Sequence, residues 1–227
     1  MSKVKKMKDW EADNEGLTIL KIVKKYDSLK LGLKHIILTN KSNYGPYHDL
    51  NHLLTVTYHT YKALSYMDML DDENVETLLL TALFHDTNHS MGKKSDDLNI
   101  KASKKYLGDF VKSNGLELDK ELSDSILDAT QFPYVIEDKD LDVYQKIIRD
   151  ADMCQIFEYN WIGQNILGLV KEIGTDVTGF LPNQGKFLDS IKFYTSYGKS
   201  LKSSKFKGVV SEHKILEDVM SSKNKLK

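Results

Sequence analysis

Seven histidines are scattered through 227 residues, and four of them cluster with acidic side chains at helical spacings. His48 and His52 stand four apart, hence on one face if the segment is helical. His85 and Asp86 are adjacent, and His89 follows His85 after one helical turn. Asp150 and Asp152 flank Ala151 further along. His52, His85, Asp86 and Asp152 form an ordered set of two imidazoles and two carboxylates. Such a mixed nitrogen and oxygen set suits a divalent cation that keeps positions open for water. A carboxylate placed like Asp86 can also bridge two cations about 3.5–4 Å apart. Asp150 stays open as an alternative to Asp152.

These residues must be carried by elements that bring them together. Ile19, Ile22, Val23, Tyr26, Leu29 and Leu33 follow a helical period, which Ile36 to Leu38 continue. Residues 40–46 are polar and contain Gly45 and Pro46, which reads as a loop. Pro46 is expected to open a second helix bearing His48 and His52. Asp71, Asp72 and Glu73 suit the positive end of the next helix dipole, and that helix runs apolar to His85. Further helices are expected around Leu98–Val111, Leu122–Ala129, Val143–Cys154 and Trp161–Ile173. Residues 174–185, with Pro182, read as a loop. A helix is expected from Phe187 towards Leu201, and a weak last one over Ile215–Met220. The fold class expected is all-α, a single helical domain over residues 1–227, with flexible basic ends at about 1–10 and 221–227.

Composition narrows the functional classes. A hydrophobic fraction of 41% and an aromatic fraction of 10% are those of a globular protein. A net charge of −1 provides no global field towards duplex nucleic acid or an anionic membrane. The single cysteine, Cys154, fits a reducing compartment and reads as a small buried hydrophobe. No apolar run approaches the roughly 20 residues needed to span a bilayer. The N-terminus lacks the apolar stretch of a signal peptide, so a cytoplasmic location is expected. His59 reads as packing or as an outer partner of the ligand set, and His35 and His213 as surface residues. Tyr159 and Trp161 read as core. Lys93 and Lys94 lie where they could meet phosphates.

The ordered set resembles the HD-domain superfamily of metal-dependent phosphohydrolases, and within it the catalytic domain of class I cyclic nucleotide phosphodiesterases. The matching segments are Tyr47-His48-Asp49-Leu50-Asn51-His52, His85-Asp86-Thr87-Asn88-His89 with Gly92, Ala151-Asp152, and Gln184-Gly185-Lys186-Phe187-Leu188-Asp189-Ser190-Ile191. They follow the family's order and cover the chain from about Tyr47 to Tyr194. The resemblance implies that His52, His85, Asp86 and Asp152 hold a first ion, a transition metal such as Zn, Mn or Fe. Asp86 would bridge to a second, Mg or Mn, whose water His89 reaches. It implies that His48 is the general acid, that Gln184 hydrogen-bonds the base and that Phe187 stacks on it.

Two departures stand out. Asp49 replaces the family's Asn, and the Glu that orients the general acid has no counterpart identifiable in the chain. Asp96-Asp97-Leu98-Asn99 resembles an acidic-Asn element of a second branch, the small HD phosphohydrolases. The activity implied is hydrolysis of a 3′,5′-cyclic nucleotide or related cyclic nucleotide signal to a linear product. The alternatives are a nucleotide phosphomonoesterase or pyrophosphohydrolase, or a nucleotide-binding sensor with poor turnover. The expected partner is a small nucleotide, with neither membrane nor duplex nucleic acid, and the oligomeric state stays open.

Overall fold

The computed structural model describes residues 16–222. The expected flexible ends, 1–10 and 223–227, lie outside the described residues, and Ser221 and Ser222 close the last helix. The architecture is all-α, with no strand among the described residues. In order, the helices are α1 (Ile19–Val23), α2 (Asp27–Thr39), α3 (Leu50–Tyr66), α4 (Val75–Phe84), α5 (Asp96–Asn114), α6 (Lys120–Thr130) and α7 (Val143–Met153). A short 3-10 turn (Cys154–Phe157) and a π-helix (Ile162–Gly168) lead into α8 (Leu169–Ile173), α9 (Val177–Ser190) and α10 (Ser196–Ser222). No described helix is long and apolar enough to cross a membrane.

Helix α4 is the centre. Apart from Glu76, all of its residues are buried, so it is apolar all round, as an interior helix must be. It packs against α2, α3 and α6, while α3 also packs along α7. Leu78, Leu79, Leu80 and Leu83 fill this interior. Truncating one such leucine to alanine costs on the order of 2–5 kcal/mol. Helix α10 lies against α9 and the 3-10 turn.

Several boundaries differ from the sequence expectation, each for a local reason. The first amphipathic stretch is two helices, because Tyr26 takes an extended conformation and Asp27 begins α2 afresh. Pro46 does not open a helix. Helix α3 starts at Leu50, where the Asp49 carboxylate accepts the His52 backbone N–H at 2.8 Å and caps it. Residues 177–190 are helical although Pro182 lies inside. Asp176 caps that helix, and burial of Leu181, Gln184 and Leu188 outweighs the hydrogen bond proline removes. The expected helix from Phe187 to Leu201 is broken at 191–195. There Asp150 takes the Tyr194 and Thr195 amides, both at 2.8 Å, and the Thr195 hydroxyl at 2.6 Å. Thr195 Oγ1 in turn accepts the Gly198 amide and begins α10, which runs unbroken through the weak helix expected at 215–220.

The remaining side chains also sort themselves. Cys154 and Trp161 are buried, whereas Tyr159, expected in the core, is fully exposed. His213, expected at the surface, is buried and donates from Nε2 to the Leu181 carbonyl. His35 is half-buried against Phe84, Tyr106 and Phe110.

His59 is buried in α3. Its Nδ1 pairs with the Tyr197 hydroxyl at 2.7 Å and its Nε2 with Glu158 at 2.8 Å. A neutral ring satisfies both contacts, accepting at Nδ1 and donating from Nε2. Burial pushes the imidazole below its ordinary 6.5, against the pull of Glu158. A histidine lowered in the folded state stabilises fully above its ordinary value and loses that contribution as pH falls. The melting temperature of the wild type should therefore drop between pH 7.5 and 5.5 by more than that of His59→Gln. Parallel pH curves for the two proteins would show that His59 contributes nothing to the acid sensitivity.

Candidate metal centre and cleft

Three helices deliver the four proposed ligands. His85 is the cap residue at the end of buried α4. Its Nδ1 donates to the Ala82 carbonyl at 2.8 Å. A carbonyl can only accept, so the Nε2 of the neutral ring carries a lone pair. His52 comes from the first turn of α3, and Asp152 from the last turn of α7. The two Nε2 atoms face each other at 3.2 Å. Asp86 Oδ2 lies 3.0 Å from His85 Nε2 and 3.2 Å from His52 Nε2. Asp152 Oδ1 is 3.3 Å from His52 Nε2 and 4.0 Å from His85 Nε2.

Four electron-pair donors therefore converge on one point. Such a cluster is stable only with positive charge inside it. Although burial opposes it, Asp152 and Asp86 raise His52 to about 10. Burial by itself would raise Asp86, but His85, His48 and His52 together hold it well below the carboxylate range. The donor set fits a borderline divalent cation, which would satisfy all four groups at once. His52 Nδ1 is buried without a hydrogen-bond partner among the described residues.

Asp150 faces elsewhere. Its carboxylate is spent on Tyr194 and Thr195, and burial pushes it up to about 6 against those bonds. Of the two aspartates, Asp152 therefore faces the cluster.

His48 lies in the loop before the Asp49 cap, not on the helix expected. Its position comes from a residue the sequence reading could not place, Glu172 of α8. Glu172 Oε1 meets His48 Nδ1 at 2.5 Å, and Oε2 accepts the His48 backbone N–H at 3.2 Å. Burial would raise Glu172, yet His48 and His89 hold it below its ordinary range. This leaves His48 Nε2 turned to the cluster, 3.7 Å from Asp86 Oδ2. No periodicity or motif marks Glu172, which is 124 residues away in sequence from His48.

His89 stacks on His48 with ring centroids 3.6 Å apart. Its Nδ1 accepts the Met91 amide at 3.1 Å, and its Nε2 lies 3.8 Å from Asp96. Burial lowers this imidazole, but Asp96, Asp86 and Glu172 raise it overall. The turn around it holds Asn88 and Met91 at φ of 58° and 53°, conformations that cost a non-glycine residue free energy and collect at functional sites. Buried polar side chains hold it there. Asn40 Oδ1 accepts the Asn88 amide at 2.8 Å, and Asn99 Oδ1 accepts the Ser90 amide at 3.0 Å. Asp96 also accepts the Phe132 amide at 2.6 Å. The acidic-Asn element thus ties the cluster loop to the next wall.

The cluster opens into a cleft of about 470 Å³. Four carboxylates line it, Asp86, Asp96, Asp152 and Glu172, against one ammonium, Lys94. Lys93 is exposed and outside the cleft. The far wall is apolar, with Leu169, Ile173, Phe180 and Phe187. Gln184 lines it from mid-helix in α9, so it does not cap that helix. Phe132 meets Phe187 edge to face at 6.4 Å. A larger, more open depression of about 580 Å³ beside Asp138 and Lys192 shares none of these residues. The chain matches no protein-family model, no curated protein and no solved structure.

One close approach joins the π-helix to the His48 loop. A methyl group built on Gly168 would lie 2.5 Å from the Pro46 carbonyl oxygen, so the π-helix and the His48 loop can touch only where there is no side chain. Gly168→Ala should lower stability by about 1–3 kcal/mol. Urea unfolding measures it, and an unchanged midpoint would show that the contact is easily relieved.

Proposed function

We propose that this protein is a metal-dependent phosphohydrolase of the HD type that cleaves a nucleotide phosphodiester, a 3′,5′-cyclic nucleotide or related cyclic nucleotide signal. The observation that carries this reading is the pairing of His48 with Glu172 directly above the four converging donors. An imidazole oriented by a carboxylate at one nitrogen presents the other to a reacting atom. The charge of the cleft adds support. Four carboxylates against one lysine would repel a phosphate, and cations at the cluster reverse that sign.

His52, His85, Asp86 and Asp152 would hold a first divalent ion, with Asp86 also facing a second. When bound, such ions neutralise the diester and bring the pKa of water near neutrality. The chain's own residues do the rest. His48, its Nδ1–H bound to Glu172, gives its Nε2 proton to the leaving sugar oxygen as the P–O bond breaks. The oxygen of a water forms the new P–O bond, and the proton that water releases restores His48. His89 keeps the His48 ring in place by stacking and faces Asp96 on its other side. The apolar wall with Phe187 and Gln184 receives the base.

The ligand assignment is tested by two alanine variants. Asp152→Ala should lose both bound transition metal, read by elemental analysis, and activity. Asp150→Ala should keep the metal but melt at a lower temperature, because the Tyr194 and Thr195 amides lose their acceptor. The reverse pattern would reassign the ligand.

The acid role is tested by leaving groups. His48→Ala should keep its metal and lose roughly 10²–10⁴-fold in turnover of a cyclic nucleotide. A nitrophenyl diester, whose leaving group needs no proton, should suffer much less. Equal losses on the two substrates would mean that His48 does not protonate the leaving group. A screen of cyclic nucleotides against nucleoside mono- and triphosphates, with Mn²⁺ or Mg²⁺, separates the diesterase from the monoesterase reading.

A further inference from the structure

Three buried side-chain carbonyl oxygens, those of Gln155, Gln164 and Asn165, have no hydrogen-bond partner among the described residues. Asn165 alone of the three lines the cleft. It is 6% exposed. Buried polar groups are nearly always paired, because an orphaned amide oxygen forfeits its water without replacement. An unpaired one held at a cleft wall is an acceptor waiting for a donor.

Its setting is built, not accidental. Asn165 sits in the π-helix, a form that proteins use rarely and often at functional sites. That helix cannot slide freely, because Gly168 is pressed against the backbone of Pro46 in the His48 loop. On its other side it packs on α9, which carries Gln184. Gln184 is 5% exposed and also lines the cleft. Asn165 and Gln184 thus stand in a wall that also includes Phe180, Phe187, Leu169, Ile173 and the exposed Asn183. An apolar slot with a few fixed polar groups recognises a flat ligand with donors and acceptors on its rim. A nucleobase has that chemistry.

We propose that Asn165 is a specificity-determining residue, its Oδ1 accepting a hydrogen bond from an exocyclic amine or ring N–H on the edge of the substrate's base. Gln184 supplies the complementary contacts from α9. This rests on the nucleotide phosphodiesterase reading for the identity of the ligand. The sequence pattern assigns Asn165 no role.

The test uses the full chain with Mn²⁺, the four natural 3′,5′-cyclic mononucleotides and bis(p-nitrophenyl) phosphate, which has no base. Asn165→Leu replaces the orphan with an apolar group of similar size, so its melting temperature should equal or exceed that of the wild type. Its KM for the preferred nucleotide should rise at least tenfold more than its KM for bis(p-nitrophenyl) phosphate. A ligand-side deletion needs no variant. Wild-type protein should bind the preferred cyclic nucleotide at least tenfold more tightly than an analogue whose base lacks edge N–H donors. Equal KM changes on both substrates, or equal affinity for the two nucleotides, overturn the proposal. Hydrolysis of bis(p-nitrophenyl) phosphate with no binding of any nucleotide also overturns it, while leaving the metal phosphodiesterase reading intact. Nucleotide binding without hydrolysis of any diester defeats that reading instead, and an affinity of Asn165→Leu for that nucleotide equal to the wild type's overturns the role of Asn165, whereas one at least tenfold weaker supports it.

Discussion

Two imidazole nitrogens held 3.2 Å apart, with two carboxylate oxygens beside them, are the constraint on which the rest of this structure depends. Nothing in that group of atoms attracts its neighbours unless positive charge is shared among them. The groups are brought together by force of packing. Helix α4 is buried almost all round, with α2, α3 and α6 packed on it and α7 along α3 and α6. The hydrophobic burial of α4 therefore supplies the stability against which the cluster is assembled. Local devices then fix each donor, the Asp49 cap for His52 and the Ala82 carbonyl for His85.

The same logic of fixing one group with another extends outward. Asp150 ties α7 to the start of α10 and so holds Asp152 beside the cluster. Arg149, almost wholly buried, donates to the Ala129 and Ile136 carbonyls and lies over the Tyr134 ring. It thereby pins the loop that presents Phe132 to the cleft. Asp96 holds the other end of that loop. Neighbouring residues on α7 thus serve opposite walls, and none of the three is interchangeable.

The apolar wall contrasts with this well-paired side. His48, His85 and His89 each have a polar partner there, whereas the Asn165 side-chain oxygen has none among the described residues. A protein that keeps an unpaired amide oxygen in an apolar wall gives up stability there. That uneven distribution is the expected mark of a surface shaped for a ligand and not for its own fold.

Much of this was legible in the chain. Helical periodicity marked α3, α4, α5, α6 and α7, because each buries a single stripe or, for α4, a continuous apolar run. The positions of His52, His85, Asp86 and Asp152 at helix ends followed from those patterns. Less legible were the segments in which a distant residue overrides local preference. Pro182 reads as a loop but sits in α9, since burial of its neighbours prevails. Residues 191–195 read as helix but are opened by Asp150. His48 was assigned to a helix, yet Asp49 captures the helix start and leaves it in a loop. Glu172 and Asn165 carry no local signal at all. What distinguishes them is visible only across the fold, a histidine 124 residues away for Glu172 and an unpartnered side-chain oxygen for Asn165. The sequence by itself determined the helices and the ligand-type residues, because periodicity and residue chemistry are local. Only the tertiary structure decided which aspartate joins the cluster, what orients His48 and which amides go unpaired, because those depend on distances between segments remote in the chain.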